Sequence, residues 1–454
     1  MSHPPSLQAP LCPWALAAER YPDGTAVQDP GGRIMTWAAL HRAIEATRAG
    51  LVDVSAETVA LVVDNRIEDI ILLVSALRGG FDVALFGPRT PDIDLARSIE
   101  ALDAVLLDRT RAVESDVPVP LSDIRLSGHT LISTSGSTDA ARWIRHPASA
   151  HLASAEAATQ RLNLSEGDGW GWCLPMHHVG GLSILWRCAI RGACAISPPS
   201  DTPLPEWIAP DGQGPKPTHV SMVPTQLRDL LDGGQSPPSV LRSVIVGGAH
   251  ISCDLLERAI QAGWPVRTTY GMTETASMVT LSDVWTVPPT EHVHAGTPLT
   301  GVEMKVDDGR MAIRSRALGS GLADSEGWFR TFDRGFQDES GRWVVTGRAD
   351  RVIISGGENL DPDRIERAVR SLPGVEECIV VSVPHDRYGQ RPVAFVSGLA
   401  PIPGRDDLAA ALSRTLVSFE IPDAFHPMPP LEPGQAKWSR SGLEALARSE
   451  EEGR

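Results

Sequence analysis

The sequence lacks any run of the roughly 18 apolar residues that a membrane-spanning helix requires. Its first residues, MSHPPSLQAPLCPWAL, contain no basic start followed by an apolar stretch, so we expect no secretory signal. The last residues, EEGR, carry no lipidation or targeting motif. These features together predict a cytoplasmic protein with no membrane partner.

Cysteine and net positive charge are also scarce. The six cysteines are scattered and form no Cys-x-x-Cys pair, which predicts free thiols in a reducing compartment rather than a disulfide framework or a zinc site. The formal net charge of −16 excludes a generally basic surface for nucleic acid. Phosphate binding stays open, because backbone loops and single basic residues hold phosphates locally.

Two common nucleotide-binding patterns are missing as well. No GxGxxG follows an early strand, which disfavours a dinucleotide-dependent dehydrogenase. The segment TSGST lacks the spacing of GxxxxGK followed by Ser or Thr, which disfavours a P-loop kinase. A nucleotide site in this chain must therefore be built from other residues.

What the sequence does contain is an alternation of β-branched runs and longer helical patterns. Segments typical of buried strands occupy 57–65, 130–133, 218–224 and 243–248, and a helical pattern covers 68–80. Such alternation is typical of α/β folds in which helices cover parallel sheets. The proline-rich stretch that follows residue 197, up to residue 217, predicts a loop.

The pattern changes after about residue 290. The segment 301–315 alternates like a strand pair around an Asp-Asp-Gly turn, and a compact run of strands and helices follows it. A chain of 454 residues is too long for one hydrophobic core. We expect a large domain at 1–347 and a small α+β domain at 348–454.

The first segment that can carry chemistry follows the strand at 130–133. It consists of Thr134, Ser135, Gly136, Ser137 and Thr138. A glycine among four hydroxyls provides a turn with available backbone N–H groups, which suits a polyphosphate. Taken alone, the segment is either such a cradle or an ordinary polar turn.

The second segment, residues 270–275, also follows a strand-like run. Its residues are Tyr270, Gly271, Met272, Thr273, Glu274 and Thr275. Open α/β sheets bind ligands at the carboxyl ends of their strands, where a ring stacks on a base and a carboxylate holds Mg²⁺. The alternative is a surface loop with a helix N-cap at Thr273.

Further polar groups follow in the last third of the chain. They are Asp333, Arg348 with Asp350, the pair Gly356 and Gly357, and Lys437. A buried aspartate accepts hydrogen bonds from both ribose hydroxyls. Taken singly, the same residues are also consistent with a solvated hairpin, a turn and a surface lysine.

Together these motifs resemble, in order and spacing, the acyl- and aryl-CoA synthetase branch of the ANL adenylating superfamily. TSGST is similar to the family's phosphate loop, IVGGA (245–249) to the turn that meets adenine, and YGMTET to the family's most specific motif. GRADRVIISGGENLDPDRIE (347–366) is similar to the segment that joins the two domains, and GQAKWSR (434–440) to the C-terminal lysine motif. The resemblance covers nearly the whole chain and implies parallel sheets, a barrel-like subdomain and a small mobile domain.

Two segments are similar to one branch of that superfamily. LPMHHVGGLSIL (174–185) and YGMTETASMVT (270–280) resemble ligases that join o-succinylbenzoate to coenzyme A in menaquinone biosynthesis, and in part 4-chlorobenzoate–CoA ligases. The resemblance implies an AMP-forming acid–CoA ligase that uses ATP, Mg²⁺ and coenzyme A, and it suggests a homodimer. Three alternatives stay open: another aryl- or acyl-CoA ligase, an enzyme that loads a carrier protein, and a nucleotide-binding homologue without catalysis.

The resemblance also implies a role for each matching residue. For catalysis, Lys437 bridges the carboxylate and the α-phosphate, Thr273 contacts the α-phosphate, Glu274 binds Mg²⁺ and His178 gates the acyl pocket. For ATP, residues 134–138 and Arg142 hold the phosphates, Gly248, Ala249, Tyr270, Gly271 and Met272 surround the adenine, and Asp333 and Arg348 hold the ribose. Asp350 is the hinge, and Gly356 and Gly357 line the pantetheine path.

Four positions depart from the family pattern. Asp139 replaces a glycine of the phosphate loop, Arg142 a lysine, Ala436 the glycine before the catalytic lysine, and Arg351 a second aspartate. A negative charge at Asp139 repels phosphate, which is why the non-catalytic alternative stays open. An arginine also offers a planar fork where a lysine offers a point charge.

Overall fold

A computed structural model describes residues 9–121, 124–134, 142–200, 202–208, 216–351, 353–355, 358–385, 387–399, 401–431 and 438–452. The chain folds into two compact units. The first comprises Met1–Lys305, Ala312–Phe329 and Gln337–Val344, and the second comprises Val306–Met311, Arg330–Phe336 and Val345–Arg454.

Helices of the first unit cover its sheets. They are α1 (Pro13–Arg20), α2 (Trp37–Ala49), α3 (Ile67–Gly79), α4 (Asp92–Ala101), α5 (Ala148–Leu162), α6 (Val179–Arg191), α7 (Leu204–Ile208), α8 (Pro224–Asp232) and α9 (Cys253–Gln261). The predicted helix at 68–80 is confirmed as α3. It is buried on nearly every side, which accounts for its almost unbroken apolar sequence.

The strands of the first unit alternate with these helices. They are β1 (Thr25–Gln28), β2 (Ile34–Thr36), β3 (Thr58–Val62), β4 (Asp82–Phe86), β5 (Ala104–Leu106), β6 (His129–Thr134), β7 (Arg142–Pro147), β8 (Gly169–Gly171), β9 (Cys194–Ile196), β10 (His219–Met222), β11 (Ser243–Val246), β12 (Val266–Met272), β13 (Ser277–Leu281) and β14 (Thr297–Pro298). The four predicted strands are confirmed as β3, β6, β10 and β11.

Two sheets are built from these strands. A nine-stranded sheet has the order β14-β13-β12-β11-β10-β8-β9-β1-β2, and a five-stranded sheet has the order β5-β3-β4-β6-β7. Strands β8 to β12 pair in parallel, and every residue of β10 and β11 is buried, as expected for strands covered on both faces. The α/β fold with parallel sheets is therefore confirmed.

The predicted loop after residue 197 is wrong in part. Leu204–Ile208 forms the short helix α7, in which Trp207 and Ile208 are buried. Proline is tolerated in the first turn of a helix, where its missing N–H has no partner to lose, so Pro205 does not prevent this turn.

Short strands follow in the stretch after residue 300, where the sequence predicted a hairpin. They are β15 (Val302–Asp307), β16 (Arg310–Ser315), β17 (Phe329–Arg330), β18 (Asp333–Gln337) and β19 (Trp343–Arg348). The first three form one sheet and the last two form another. The turn at 308–309 places both residues at positive φ, as the predicted hairpin requires.

The second unit is a small α+β structure. Its further strands are β20 (Ile353–Ser355), β21 (Glu358–Leu360), β22 (Glu377–His385), β23 (Gly389–Ser397) and β24 (Ala424–Pro427), and its helices are α10 (Pro362–Arg370), α11 (Arg405–Leu412) and α12 (Arg440–Glu452). The sheet order is β21-β20-β23-β22, with β24 beside β23, and α10 and α12 pack on β22. Within the described residues, no helix is long and apolar enough to cross a membrane.

Candidate active site

The segment from Tyr270 to Glu274 lies at the carboxyl end of β12. Tyr270, Gly271 and Met272 close the strand, and Thr273–Thr275 form one 3₁₀ turn. Ala276 and Ser277 then adopt positive φ values of 49° and 106° before the chain returns as β13. Two successive non-glycine residues in this region store strain, which is typical of functional sites.

The hydroxyl of Thr275 stabilises this turn, and Gly271 allows the close approach of the chain that follows it. Thr275 Oγ1 lies 2.7 Å from the Ser277 carbonyl and 3.1 Å from the Met272 carbonyl. A Cβ at Gly271 would lie 2.2 Å from the Ser277 oxygen, so no larger residue fits there. The sequence motif therefore needs its glycine for close approach of β13.

Donors from outside the turn hold its carbonyl groups. The pairs are His146 Nε2 with Thr273 O at 2.7 Å, Gly319 N with Glu274 O at 2.9 Å, and Ser154 Oγ with Ala276 O at 2.9 Å. These donors belong to β7, to the segment after β16 and to α5. The orientation of Thr273 and Glu274 is thus set by three separate parts of the first unit.

The predicted adenine segments lie on neighbouring strands. β11 and β12 are parallel, so their carboxyl ends meet at one edge of the sheet. A Cβ at Gly247 would lie 2.6 Å from Thr269 Cγ2, and Gly248 has a φ of 78°. Gly248 and Ala249 therefore turn away from the sheet beside Tyr270, at the edge where open α/β sheets bind ligands.

The predicted phosphate loop spans the ends of a β-hairpin. Thr134 of β6 is paired with Arg142 of β7, and the Thr134 hydroxyl donates to the Arg142 carbonyl at 3.3 Å. The connecting residues, which include Ser135, Gly136, Ser137 and Thr138, lie outside the described residues. So does Asp139.

His178 stands at the start of α6, at the N-cap position. Its ring centroid is 4.3 Å from that of His177, whose pKa burial lowers to about 4, so His177 is neutral at ordinary pH. The preceding segment is fixed by the side chain of Asn65, which hydrogen-bonds to the backbone of Trp172, Leu174 and Met176. His178, which is predicted to gate the acyl pocket, therefore lies where a loop held by hydrogen bonds meets the start of α6.

One buried cation close to the motif turn was missed by the sequence reasoning. Arg187 lies on α6, is almost completely buried, and donates to Ser277 Oγ at 3.1 Å, just after the motif turn. Its guanidinium also stands over the Trp170 ring at 5.0 Å. Burial lowers its pKa to about 9, which leaves it charged at physiological pH.

Within the described ranges, no acidic side chain balances the buried charge of Arg187. In the part of the chain that the structure describes, no carboxylate pairs with Arg187, and its Nε has no hydrogen-bond partner. Removing a charge from water without a partner is costly. The arrangement is that of a site for an anionic ligand group beside the motif.

The predicted ribose residues meet in the second unit. Arg348 Nη1 lies 3.5 Å from Asp333 Oδ1, and Asp333 is buried. The backbone N–H of Arg348 donates to Asp363 at 2.7 Å, and Arg351 forms an ion pair with the same carboxylate at 3.5 Å. Asp350 lies between them in the short turn Ala349–Arg351. Gly356, Gly357 and Lys437 lie outside the described residues.

The carboxylate of Glu274 fits a magnesium ion that arrives with ATP. Such an ion is usually held by one or two carboxylates together with substrate phosphates. Among the described residues, no group of three or more His, Cys, Asp and Glu side chains forms a metal site of its own.

Comparison with known proteins agrees with this arrangement. The family model described as AMP-binding enzyme matches residues 127–315, and the model of the AMP-binding enzyme C-terminal domain matches residues 364–432. A 2-succinylbenzoate–CoA ligase of Haemophilus influenzae is 30% identical over 97% of this chain and 100% of its own length. The chain belongs to the AMP-binding enzyme family. The predicted resemblance to adenylate-forming enzymes is therefore confirmed.

Other members of the AMP-binding enzyme family are similar over most of the chain. A 2-succinylbenzoate–CoA ligase of Escherichia coli is 33% identical over 70% of this chain and 68% of its own. The structure of an arginine-to-lysine variant of Escherichia coli MenE with bound OSB-AMS is 26% identical, with a TM-score of 0.81 over 97% of this chain and 99% of that one. The fold is also shared by MenE from Bacillus subtilis in complex with the acyl-adenylate OSB-AMP, at 22% identity and a TM-score of 0.78 over 96% and 99%.

Proposed function

We propose that this protein is an ATP-dependent acid–CoA ligase, and that its acid is o-succinylbenzoate. The products are o-succinylbenzoyl-CoA, AMP and diphosphate. The names of the similar ligases support this proposal. The single observation that carries the substrate assignment is the buried Arg187 beside the motif turn, which has no carboxylate partner among the described residues.

The substrate assignment follows from charge. o-Succinylbenzoate has two carboxylates, of which one is activated and the other stays ionised throughout. The spectator carboxylate supplies the negative charge that Arg187 lacks, and the planar guanidinium binds it through two parallel hydrogen bonds. Ser183, whose hydroxyl lies 3.2 Å from Ser277 Oγ, belongs to the same polar cluster. A monocarboxylic acid leaves the buried cation unpaired.

The reaction proceeds in two half-reactions. A carboxylate oxygen first attacks the α-phosphorus of ATP, so that an acyl–adenylate bond forms while the α–β phosphoanhydride breaks and diphosphate leaves. The sulfur of coenzyme A then attacks the acyl carbon, a carbon–sulfur bond forms and AMP leaves. The first step brings two anions together, so the protein must orient them and offset their repulsion.

Each predicted residue has a place in this scheme. Lys437 bridges the carboxylate and the α-phosphate, Thr273 contacts the same phosphate, and residues 134–138 with Arg142 hold the remaining phosphates. Mg²⁺, when bound at Glu274, neutralises charge on the phosphates. Asp333 and Arg348 hold the ribose, and their contact in the second unit supports that role.

We extend the proposal to the domain organisation, the location and the oligomeric state of the protein. The domains are 1–347 and 348–454, and the small one moves about Asp350 between the half-reactions, so that Gly356 and Gly357 reach the pantetheine path. A cytoplasmic location is the expected setting, since the substrates are soluble metabolites, and the family resemblance suggests a homodimer.

A panel of acids tests the substrate assignment. Diphosphate release is measured with MgATP and o-succinylbenzoate, benzoate, 4-chlorobenzoate or a medium-chain fatty acid, each with and without coenzyme A. We expect multiple turnover on o-succinylbenzoate that requires coenzyme A, and weak release with the three monocarboxylic acids. Turnover on a monocarboxylic acid alone contradicts the substrate assignment, whereas silence across the panel with ATP still bound supports a non-catalytic nucleotide-binding homologue.

A further inference from the structure

A buried histidine joins the hairpin of the predicted phosphate loop to the turn that carries Thr273 and Glu274. His146 lies on β7, opposite Thr130 of β6, and has no solvent-exposed surface. Its Nε2 is 2.7 Å from the Thr273 carbonyl oxygen. Because a carbonyl only accepts, the imidazole must carry a proton on Nε2.

The imidazole of His146 is a neutral donor. Burial lowers the pKa of His146 to about 4, so the ring holds one proton at ordinary pH. The bond to Thr273 places that proton on Nε2, and Nδ1 has no partner among the described residues. The ring therefore makes one directed hydrogen bond, and the motif turn receives it.

We infer that His146 is a positioning residue for adenylate formation, which sets the separation between the β6–β7 hairpin and the turn bearing Thr273 and Glu274. The inference rests on the proposed function, because it assigns the hairpin to the phosphates and the turn to Mg²⁺ and the α-phosphate. Small displacements between such groups reduce rate strongly, since the reacting atoms must be aligned.

The turn needs an outside support because it is strained. Ala276 and Ser277 both have positive φ, a conformation that persists only where surrounding contacts hold it. A second bridge links the same two parts: Gly319 N donates to Glu274 O at 2.9 Å, and Ser320 N donates to Arg145 O at 2.8 Å. His146 and this backbone bridge both tie β7 to the turn, and His146 does so through its side chain.

A second histidine in the same core provides a matched control. His151 on α5 is equally buried, and its ring centroid is 5.2 Å from that of His146. Its Nε2 bonds to Thr130 Oγ1 at 2.6 Å, and its ring stacks on Trp186. Substitution of His151 disturbs the same packing but leaves the Thr273 carbonyl bonded.

Three variants separate positioning from packing: His146→Leu, His146→Gln and His151→Leu. Steady-state diphosphate release at varied o-succinylbenzoate, with saturating MgATP and coenzyme A, gives kcat and KM for each. We expect His146→Leu to lower kcat about 10- to 100-fold with KM for the acid unchanged, because the half-buried Thr273 carbonyl loses its donor. A glutamine amide can replace the Nε2–H, so His146→Gln is expected to stay within about threefold of the wild type, as is His151→Leu despite a similar loss of thermal stability.

Equal losses of kcat in His146→Leu and His151→Leu, or an unchanged kcat in His146→Leu, would overturn the inference. If His146→Leu does not fold, the ¹⁵N and ¹H signals of histidine in the wild-type protein decide the question. An Nε2–H tautomer that shifts on addition of MgATP, while the His151 signal does not, supports the inference, and an Nδ1–H tautomer at His146 rejects it.

A failure of the proposed function can be distinguished from a failure of the inference about His146. In that case the wild type releases no diphosphate with any acid of the panel, and the same three variants are compared by calorimetry with MgATP alone. Weaker MgATP binding in His146→Leu than in His151→Leu keeps the positioning role. Equal MgATP binding in the two variants contradicts the positioning role of His146.

Discussion

Substitution of Lys437 by alanine is expected to slow adenylate formation by at least about 100-fold, the usual cost of losing one well-placed electrostatic group. The family resemblance assigns this lysine to the carboxylate and the α-phosphate, which repel each other as they approach. A single cation between them stabilises the transition state more than the separated ground state. The effect is measured as the single-turnover rate of acyl-adenylate formation.

A second lysine provides a matched control for Lys437. The chain contains only two other lysines, Lys216 and Lys305. Lys305 lies over the ring of Trp328 at 4.4 Å, in the strand β15. Lys305→Ala removes the same charge and is expected to leave the rate of adenylate formation unchanged. A Lys437→Ala enzyme that forms adenylate at the wild-type rate would contradict the assigned role.

Arg187→Met is expected to lower kcat/KM for o-succinylbenzoate by about 100- to 1000-fold, because it leaves the spectator carboxylate buried without a partner. The same change should not lower the free energy of unfolding of the free protein. The methionine removes a buried charge that has no carboxylate partner among the described residues, and with it the cost of keeping that charge out of water. Steady-state kinetics and thermal unfolding without ligand measure the two effects.

Two companion variants define what the Arg187→Met result means. Arg191→Met, one turn further along α6, removes a guanidinium that binds Thr159 Oγ1 and is expected to leave kcat/KM unchanged. Arg187→Lys keeps the charge but loses the planar fork, so an intermediate loss is expected. Arg187→Met with unaltered preference for o-succinylbenzoate over benzoate would refute the substrate assignment.

The strands and the motif turn were predictable because their signals are local. Strands such as β10 and β11 are continuous apolar runs, and the residues of 270–275 follow a strand end in the sequence itself. Parallel pairing then brings those ends to one edge of the sheet, as the alternation of strands and helices predicted.

His146 and Arg187, which support the site, were not predictable because their partners lie far away in the sequence. His146 bonds to a residue 127 positions away, and nothing near it in the sequence distinguishes it from a core histidine. Arg187 lies in an amphipathic helix pattern, where an arginine is normally taken for the solvated face. Only the packing of α6 against Trp170 and Ser277 shows that this arginine is buried.

One of the departures from the family pattern has a structural explanation. Arg351 occupies a position at which the family resemblance predicts an aspartate. Its guanidinium forms an ion pair with Asp363 of α10 at 3.5 Å. The same carboxylate accepts from the Arg348 N–H, so the segment around Asp350 is held by a side chain of the helix that follows. The cation at this position therefore has a carboxylate partner within the same unit.

The most direct test of the account is product identity. Purified protein is incubated with MgATP, coenzyme A and o-succinylbenzoate, and the thioester and nucleotide products are quantified by mass spectrometry. The account predicts o-succinylbenzoyl-CoA and AMP in equal amounts over many turnovers. Formation of AMP and diphosphate with no coenzyme A thioester, or a thioester only from an acid without a second carboxylate, would contradict it.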